Sequence, residues 1–223
     1  MKRCSHSQVV FQFNEFKIRI TYFPEVYPPS DDSFLLIDSL HHLFEEIYPV
    51  ERRKELSVIE LGTGTGIAGI FLLRTGVNHL LMTDISGKAL KCARLNLKQN
   101  GVDANLICTS LFNGIKTKFD LVVFNPPYLP EEEREPDDLF TKALRGGREG
   151  YEIIQQFLNQ LPFFLKKGGK AVIVLSSFNP VERLKKESRF SWRLLGKKHF
   201  FFERIYCYLL SERDSWSNST QKH

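Results

Sequence analysis

No apolar run in this 223-residue chain approaches the roughly 20 residues that a membrane-spanning helix requires. Residues 1–6 are polar and basic with no apolar stretch behind them, so a secretory signal is not expected. Cysteine is scarce. Cys4, Cys92, Cys108 and Cys207 stand far apart, which excludes the paired spacings of a zinc site or a disulfide framework. A reducing, cytoplasmic setting is expected, with Cys108 and Cys207 reading as small core residues inside apolar strands. The histidines are scattered too, and His41-His42 reads as part of a helix surface rather than a metal site. Internal repeats are missing. The remainder, 42% hydrophobic and 26% charged, is ordinary for a globular chain long enough to bury one core.

The net charge of +5 is unevenly placed. Residues 181–223 hold ten Lys and Arg against five Asp and Glu, while the rest balances at 21 against 21. A basic end is compatible with nucleic acid and equally with a solvated face, so it does not discriminate.

The hydrophobic pattern alternates strands and helices. Residues 8–13 and 16–22 alternate apolar and polar positions around Asn14-Glu15 and predict a hairpin. Ser30, Asp31 and Asp32 offer caps for a helix over 33–48. Strands are predicted at 58–61, 79–83, 105–108, 119–124 and 171–176, with helices to about 74, over 87–99 and over 150–165. Residues 190–195 and 200–210 read as a closing antiparallel pair. Such alternation predicts an α/β fold with a mostly parallel sheet covered on both faces. The expected organisation is an N-terminal hairpin and helix (1–50), a catalytic domain (51–211) and a disordered tail (212–223).

Three motifs carry chemistry. Glu60-Leu61-Gly62-Thr63-Gly64-Thr65-Gly66 joins a strand to a helix, where glycines let the backbone turn tightly and approach a ligand. Its Gly-x-Gly-x-Gly spacing departs from the Gly-x-Gly-x-x-Gly of dinucleotide sites, and Glu60 sets a carboxylate beside a loop that would otherwise suit phosphates. Asp84 ends the second strand of the core, where an acid accepts hydrogen bonds from both ribose hydroxyls of a nucleoside, though a helix cap is the plainer role. Asn125-Pro126-Pro127-Tyr128 follows the strand at 119–124. Two prolines stiffen this turn and remove two donors, which leaves the Asn side chain and nearby carbonyls as directed acceptors. A planar amino nitrogen needs such acceptors on its hydrogens before its delocalised lone pair can attack a methyl sulfonium. Tyr128 would pack flat on the planar group and near the sulfonium charge.

Together with Tyr27-Pro28-Pro29-Ser30-Asp31-Asp32-Ser33-Phe34-Leu35-Leu36, Thr83-Asp84-Ile85 and Arg145-Gly146-Gly147-Arg148-Glu149-Gly150, these motifs resemble the HemK-type glutamine methyltransferases, in their archaeal and eukaryotic branch. The resemblance runs from about Tyr27 to Leu210. It implies a class I S-adenosylmethionine-dependent methyltransferase fold, Rossmann-like, with seven strands of which the last is antiparallel. It implies methylation of the side-chain amide of the Gln in the Gly-Gly-Gln loop of a translation release factor. Ser33, Glu60, Gly62, Gly64, Gly66, Asp84, Ile85 and Asn125 are then expected at the cofactor, with Asn125, Pro126, Pro127 and Tyr128 forming the acceptor pocket. Family members carry an acid after the strand at 105–108, whereas this chain has Ser110 and Leu111, both kept as cofactor candidates. The resemblance also implies a small zinc-binding activator protein that extends the sheet beside residues 105–108 unless the hairpin covers that edge.

Adenine methyltransferases acting on DNA or RNA share the Asn-Pro-Pro-Tyr turn, and a catalytically silent partner-binding subunit is the alternative of another class. Glu131 to Asp138 holds six acids and one Arg, a net charge of −5 directly after the motif. That run repels phosphates within a Debye length of about 8 Å and attracts a basic peptide, which favours protein over nucleic acid.

Overall fold

The computed structural model describes residues 7–13, 16–127 and 152–213. Strands β1 (Ser7–Phe13) and β2 (Phe16–Tyr22) form the expected antiparallel hairpin, whose Asn14-Glu15 turn lies outside the described residues. Helix α1 (Asp31–Ile47) starts two residues earlier than predicted. Ser30 is its N-cap, and Asp31 and Asp32 occupy the first turn, where the helix N-terminus favours acids. A short α2 (Val50–Arg53) leads into β3 (Ser57–Leu61), α3 (Ile67–Arg74), β4 (His79–Asp84), α4 (Gly87–Gln99), β5 (Asn105–Cys108) and β6 (Phe119–Phe124).

After the undescribed segment come α5 (Glu152–Phe164), β7 (Leu165–Ser176), α6 (Val181–Glu187), β8 (Phe190–His199) and β9 (Arg204–Glu212). Strand β7 begins earlier than the predicted 171, because the Lys166-Lys167-Gly168-Gly169 turn is absorbed as a bulge. Its register jumps from Phe119 opposite Leu165 to Leu121 opposite Lys170. Helix α6 was not expected, since a seven-residue helix within the link between β7 and β8 is too short to show a clear helical period.

The seven strands run in the order β5-β4-β3-β6-β7-β9-β8, parallel except for β9, which matches the expected fold. Both faces are apolar, and the two-residue period sorts side chains between them. Val58, Leu121, Val123, Val172 and Val174 pack with α1, α3 and α4; Ile59, Val122, Phe124, Ile173 and Leu175 pack with α5. The hairpin packs against α3 and α4 on that side, with its β2 backbone bonded to Asn96 on α4 and to Asn100 at its C-cap. Asn96 accepts from Thr21 N–H at 2.8 Å and donates to the Thr21 carbonyl at 2.8 Å, and Asn100 does the same with Arg19 at 2.9 and 2.7 Å.

Strand β5 is a sheet edge that the hairpin does not cover. Cys207 is buried as expected, but Cys108 is exposed, because four-residue β5 has a neighbour on one side only. Cys4 lies outside the described residues, as does residue 214 onward of the expected tail. Among the described residues no helix is long and apolar enough to cross a membrane, and no cluster of His, Cys, Asp and Glu could hold a metal.

Candidate functional site

The C-terminal ends of β3, β4 and β6 and the N-terminus of α1 border a cavity of about 600 Å³, the position where open parallel sheets bind ligands. Its wall includes Ser33, Glu60, Gly62, Gly64, Asp84, Ile85, Ser110, Leu111, Asn125, Pro126 and Pro127, so nearly all the predicted site residues converge here. Gly66 lies just behind, as the N-cap of α3. Tyr128 and the Arg145 to Gly150 motif lie outside the described residues, as does the acidic run from Glu131.

The glycine loop turns because Gly62 and Gly64 adopt φ of +64° and +53°, which residues with a Cβ resist. Asp84 holds the loop in place. Its Oδ2 accepts from the Gly64 N–H at 2.9 Å and its Oδ1 from the Ser86 N–H at 2.8 Å. Burial raises the Asp84 pKa, and the main-chain donors only partly offset it. Each carboxylate oxygen keeps a lone pair for a further donor. The cap of α4 is made by Ser86, whose Oγ accepts from the Ala89 N–H at 3.3 Å, so Asp84 is free of that duty.

Glu60 is turned inward. Its Oε2 accepts from Thr63 Oγ1 at 2.7 Å, and the residue is 5% exposed. Burial pushes its carboxyl up to about 8, with the Asp84 charge adding to the rise and the bonds from Thr63 and the Gly69 N–H opposing it. Glu60 thus lies on the cavity wall beneath the loop, with burial disfavouring its ionised form.

Ile85 is 75% exposed at the rim, a flat apolar surface beside Asp84. Across from it Leu111 takes φ of +46°, a conformation costing about 1–2 kcal/mol for a residue with a Cβ. Such strain is held by its surroundings, here the apolar cluster around Phe112 and Phe157, and it sets Ser110 and Leu111 on the cavity wall.

Asn125 receives the least expected partner. Its Nδ2 donates to Asp32 Oδ2 at 3.1 Å, across 93 residues of sequence. Asp32 is 2% exposed, and its Oδ1 accepts from Ser33 N–H at 2.6 Å and from Ser33 Oγ at 3.1 Å. A carboxylate accepts only, so it must face the NH₂ end of Asn125 and thereby fixes which way the amide points. Asn125 Oδ1 is then buried without a hydrogen-bond partner among the described residues. An unsatisfied buried acceptor costs about 1–3 kcal/mol, and at a cavity wall it marks a place for a donor from a ligand. Sequence reasoning took Asp32 for a helix cap; the one available signal was a second acid in a turn where Asp31 alone would serve.

The acceptors and apolar walls suit a nucleoside. There is a carboxylate for ribose hydroxyls, a glycine loop without a Cβ at the point of approach, an apolar rim and an orphaned amide oxygen. Comparison with known proteins agrees. Residues 36–201 match the family model described as the methyltransferase small domain. MJ0928 of Methanocaldococcus jannaschii, named for protein N5-glutamine methylation, is 38% identical over 161 residues, covering 72% of this chain and 77% of that one. Methyltransferase HEMK2 of Homo sapiens is 34% identical over 171 residues, covering 73% and 78%. The solved E. cuniculi Mtq2–Trm112 complex, described as responsible for methylating the eRF1 translation termination factor, superposes with a TM-score of 0.65 at 25% identity, covering 85% and 99%. A cofactor-bound fold neighbour, the T. thermophilus 16S rRNA methyltransferase RsmC with AdoMet and guanosine, reaches a TM-score of 0.73 at 18% identity, over 93% of this chain and 51% of that one. The chain belongs to the methyltransferase small-domain family, within the archaeal and eukaryotic branch of the HemK-type protein N5-glutamine methyltransferases, and is an S-adenosylmethionine-dependent methyltransferase.

Proposed function

We propose that this enzyme methylates the side-chain amide nitrogen of the glutamine in the Gly-Gly-Gln motif of a translation release factor, in the cytoplasm. The observation that carries the reading is the unpartnered Asn125 Oδ1, held at the cavity by the bond from Nδ2 to Asp32. When bound, S-adenosylmethionine would supply a methyl carbon on a sulfonium centre. The amide nitrogen lone pair would attack it, the C–S bond would break to leave a neutral thioether, and the nitrogen would lose one N–H proton, by way of the acceptor that holds it, to water. Asp84 and the Gly62 to Gly66 loop would hold its nucleoside, with Ile85 and Leu111 flanking the base and Ser33 and Glu60 supporting the wall. Asn125 Oδ1 would accept one N–H of the substrate amide, and a main-chain carbonyl of the turn, left without competing donors by Pro126 and Pro127, would accept the other. Withdrawing both hydrogens into fixed acceptors localises the nitrogen lone pair toward the methyl. Catalysis of this kind is alignment and electrostatics. Tyr128 would close the pocket over the planar group.

The choice of a protein substrate is supported by the fission-yeast relative mtq2, named as the catalytic subunit of an eRF1 methyltransferase and 30% identical over 184 residues, and by the acidic run after Tyr128. Mass spectrometry of a release-factor domain incubated with enzyme and S-adenosylmethionine should find one extra methyl on the Gly-Gly-Gln glutamine. A methyl on adenine of DNA or RNA, with the release factor unmodified, would overturn the assignment.

The reading includes a small zinc-binding activator as a second subunit. Edge strand β5 leaves Ile107 42% exposed, and an open apolar edge invites strand addition or aggregation. Co-expression with the activator should raise soluble yield and turnover together; a soluble monomer whose rate ignores the activator would remove this subunit from the account.

A further inference from the structure

Strand β8 lies lengthwise on α1, and three contacts fix its direction. Arg193 pairs with Glu46 at 2.6 Å, beside the C-terminal end of the helix. Midway, the backbone rests flush on the helix at Gly196, where a Cβ would stand 2.9 Å from both Leu35 Cδ1 and Ser39 Oγ. At the N-terminal end Lys198 bonds Asp31. The turn that follows, residues 200–203, is thereby carried past the N-terminus of α1, the end from which Asp32 holds Asn125.

The turn is rigid at its base. Phe200 N–H donates to the Glu203 carbonyl at 2.7 Å, and Arg204 exchanges bonds with Ser177 at the end of β7, its carbonyl accepting from Ser177 N–H at 2.7 Å and its N–H donating to Ser177 Oγ at 3.0 Å. Glu203 lies near enough to Tyr27, on the cavity wall, for its charge to bear on that hydroxyl. This braced arm ends in Phe200-Phe201-Phe202, with Phe201 and Phe202 exposed by 102% and 93%, and Phe178 beside Ser177 by 51%. Aromatic rings left in water at the end of a rigid arm forgo the burial that dominates their energetics, and such patches mark interaction surfaces.

We propose that this aromatic tip docks the folded body of the protein substrate while its glutamine enters the cavity, an inference that rests on the glutamine reading above. The tip is bordered by Lys197 and Arg204, cations unpaired among the described residues, so its complement is an apolar patch with an acidic rim. In the sequence, the run from Glu131 to Asp138 that follows the acceptor turn carries the opposite sign, which suits a protein partner of mixed charge better than a phosphate backbone. Lys198 is already paired with Asp31, and Glu203 sits within the turn, which weakens the tip further as a phosphate site.

The test compares wild type with the F201A/F202A double variant on an intact protein substrate and on a Gly-Gly-Gln peptide too short to reach the tip. KM for the intact protein should rise by about thirtyfold, as for loss of an aromatic hot spot, with kcat held. Values for the peptide and the S-adenosylmethionine Kd should stay at wild type, and F201L/F202L should restore part of the protein KM. An unchanged protein KM, or an equal rise for peptide and protein, would overturn the docking assignment. So would loss of affinity for a single-stranded RNA oligomer with the protein KM unmoved. Wild-type enzyme co-expressed with the activator that modifies neither peptide nor protein overturns the glutamine reading itself, and the docking assignment with it.

Discussion

Asp32→Ala is the perturbation that most sharply separates positioning from binding. Asp32, 2% exposed, accepts hydrogen bonds from Ser33 N–H at 2.6 Å, Ser33 Oγ at 3.1 Å and Asn125 Nδ2 at 3.1 Å. Only the last bears on the acceptor, since it holds Asn125 Oδ1 toward the cavity. Bonds to a charged group are worth about 1.5–3 kcal/mol, so losing this one should lower kcat by about 10- to 150-fold. The two bonds to Ser33, together with the favourable charge in the first turn of α1, should cost a further ~1–3 kcal/mol of stability without affecting turnover. Asp32→Asn should fall between, because its carbonyl can satisfy Asn125 only by turning its own NH₂ toward Ser33. The assay is initial rate against protein substrate at saturating S-adenosylmethionine, with cofactor Kd and thermal denaturation measured alongside. The kcat loss should exceed the change in cofactor affinity. A folded Asp32→Ala enzyme with wild-type kcat would refute the reasoning, since Asn125 would then be oriented by something else.

Two further outcomes follow from the same site. Asp84→Ala should weaken S-adenosylmethionine binding by about 1.5–3 kcal/mol by calorimetry, and unchanged affinity would reduce Asp84 to a clamp on Gly64 and Ser86. Glu60, pushed by burial up to about 8 from 4.5, stays protonated in the folded enzyme where the unfolded chain ionises. Its stabilisation is complete below its unfolded pKa and is lost as pH rises through about 8. Urea denaturation should therefore show stability falling across that window, and Glu60→Gln should flatten the fall; an unaltered slope in the variant would place the titration elsewhere.

Local pattern carried much of this in the sequence. The strand-to-helix glycine loop, the acid ending β4 and the Asn125-Pro126-Pro127 turn each declare themselves within a few residues, because a tight turn, a strand end and a donor-free corner all have local chemistry. The fold followed from the alternation of apolar runs, whose two-faced burial is visible in Val58 and Ile59 or Val122 and Val123. What escaped depends on contacts distant in sequence. Nothing near Asp32 announces Asn125, 93 residues away. Nothing in the loop shows that Glu60 turns inward beneath it. Cys108 reads as core from its apolar neighbours alone; the edge position of β5, which the resemblance implies and the strand order shows, is what exposes it. Phe200-Phe201-Phe202 likewise reads as the start of the closing strand, whereas β8 runs on to His199 and the turn falls on the phenylalanines, since three in a row carry no period.

The central claim is that Asn125 orients an amide nitrogen whose methylation the cavity supports. The most direct measurement is paired turnover and cofactor binding for Asn125→Ala with a Gly-Gly-Gln protein substrate. S-adenosylmethionine affinity should stay near wild type with kcat reduced by about 10²-fold or more, as for removal of one acceptor or donor from a preorganised site. Undiminished turnover on that glutamine, or a loss accounted for wholly by weaker cofactor binding, would contradict it.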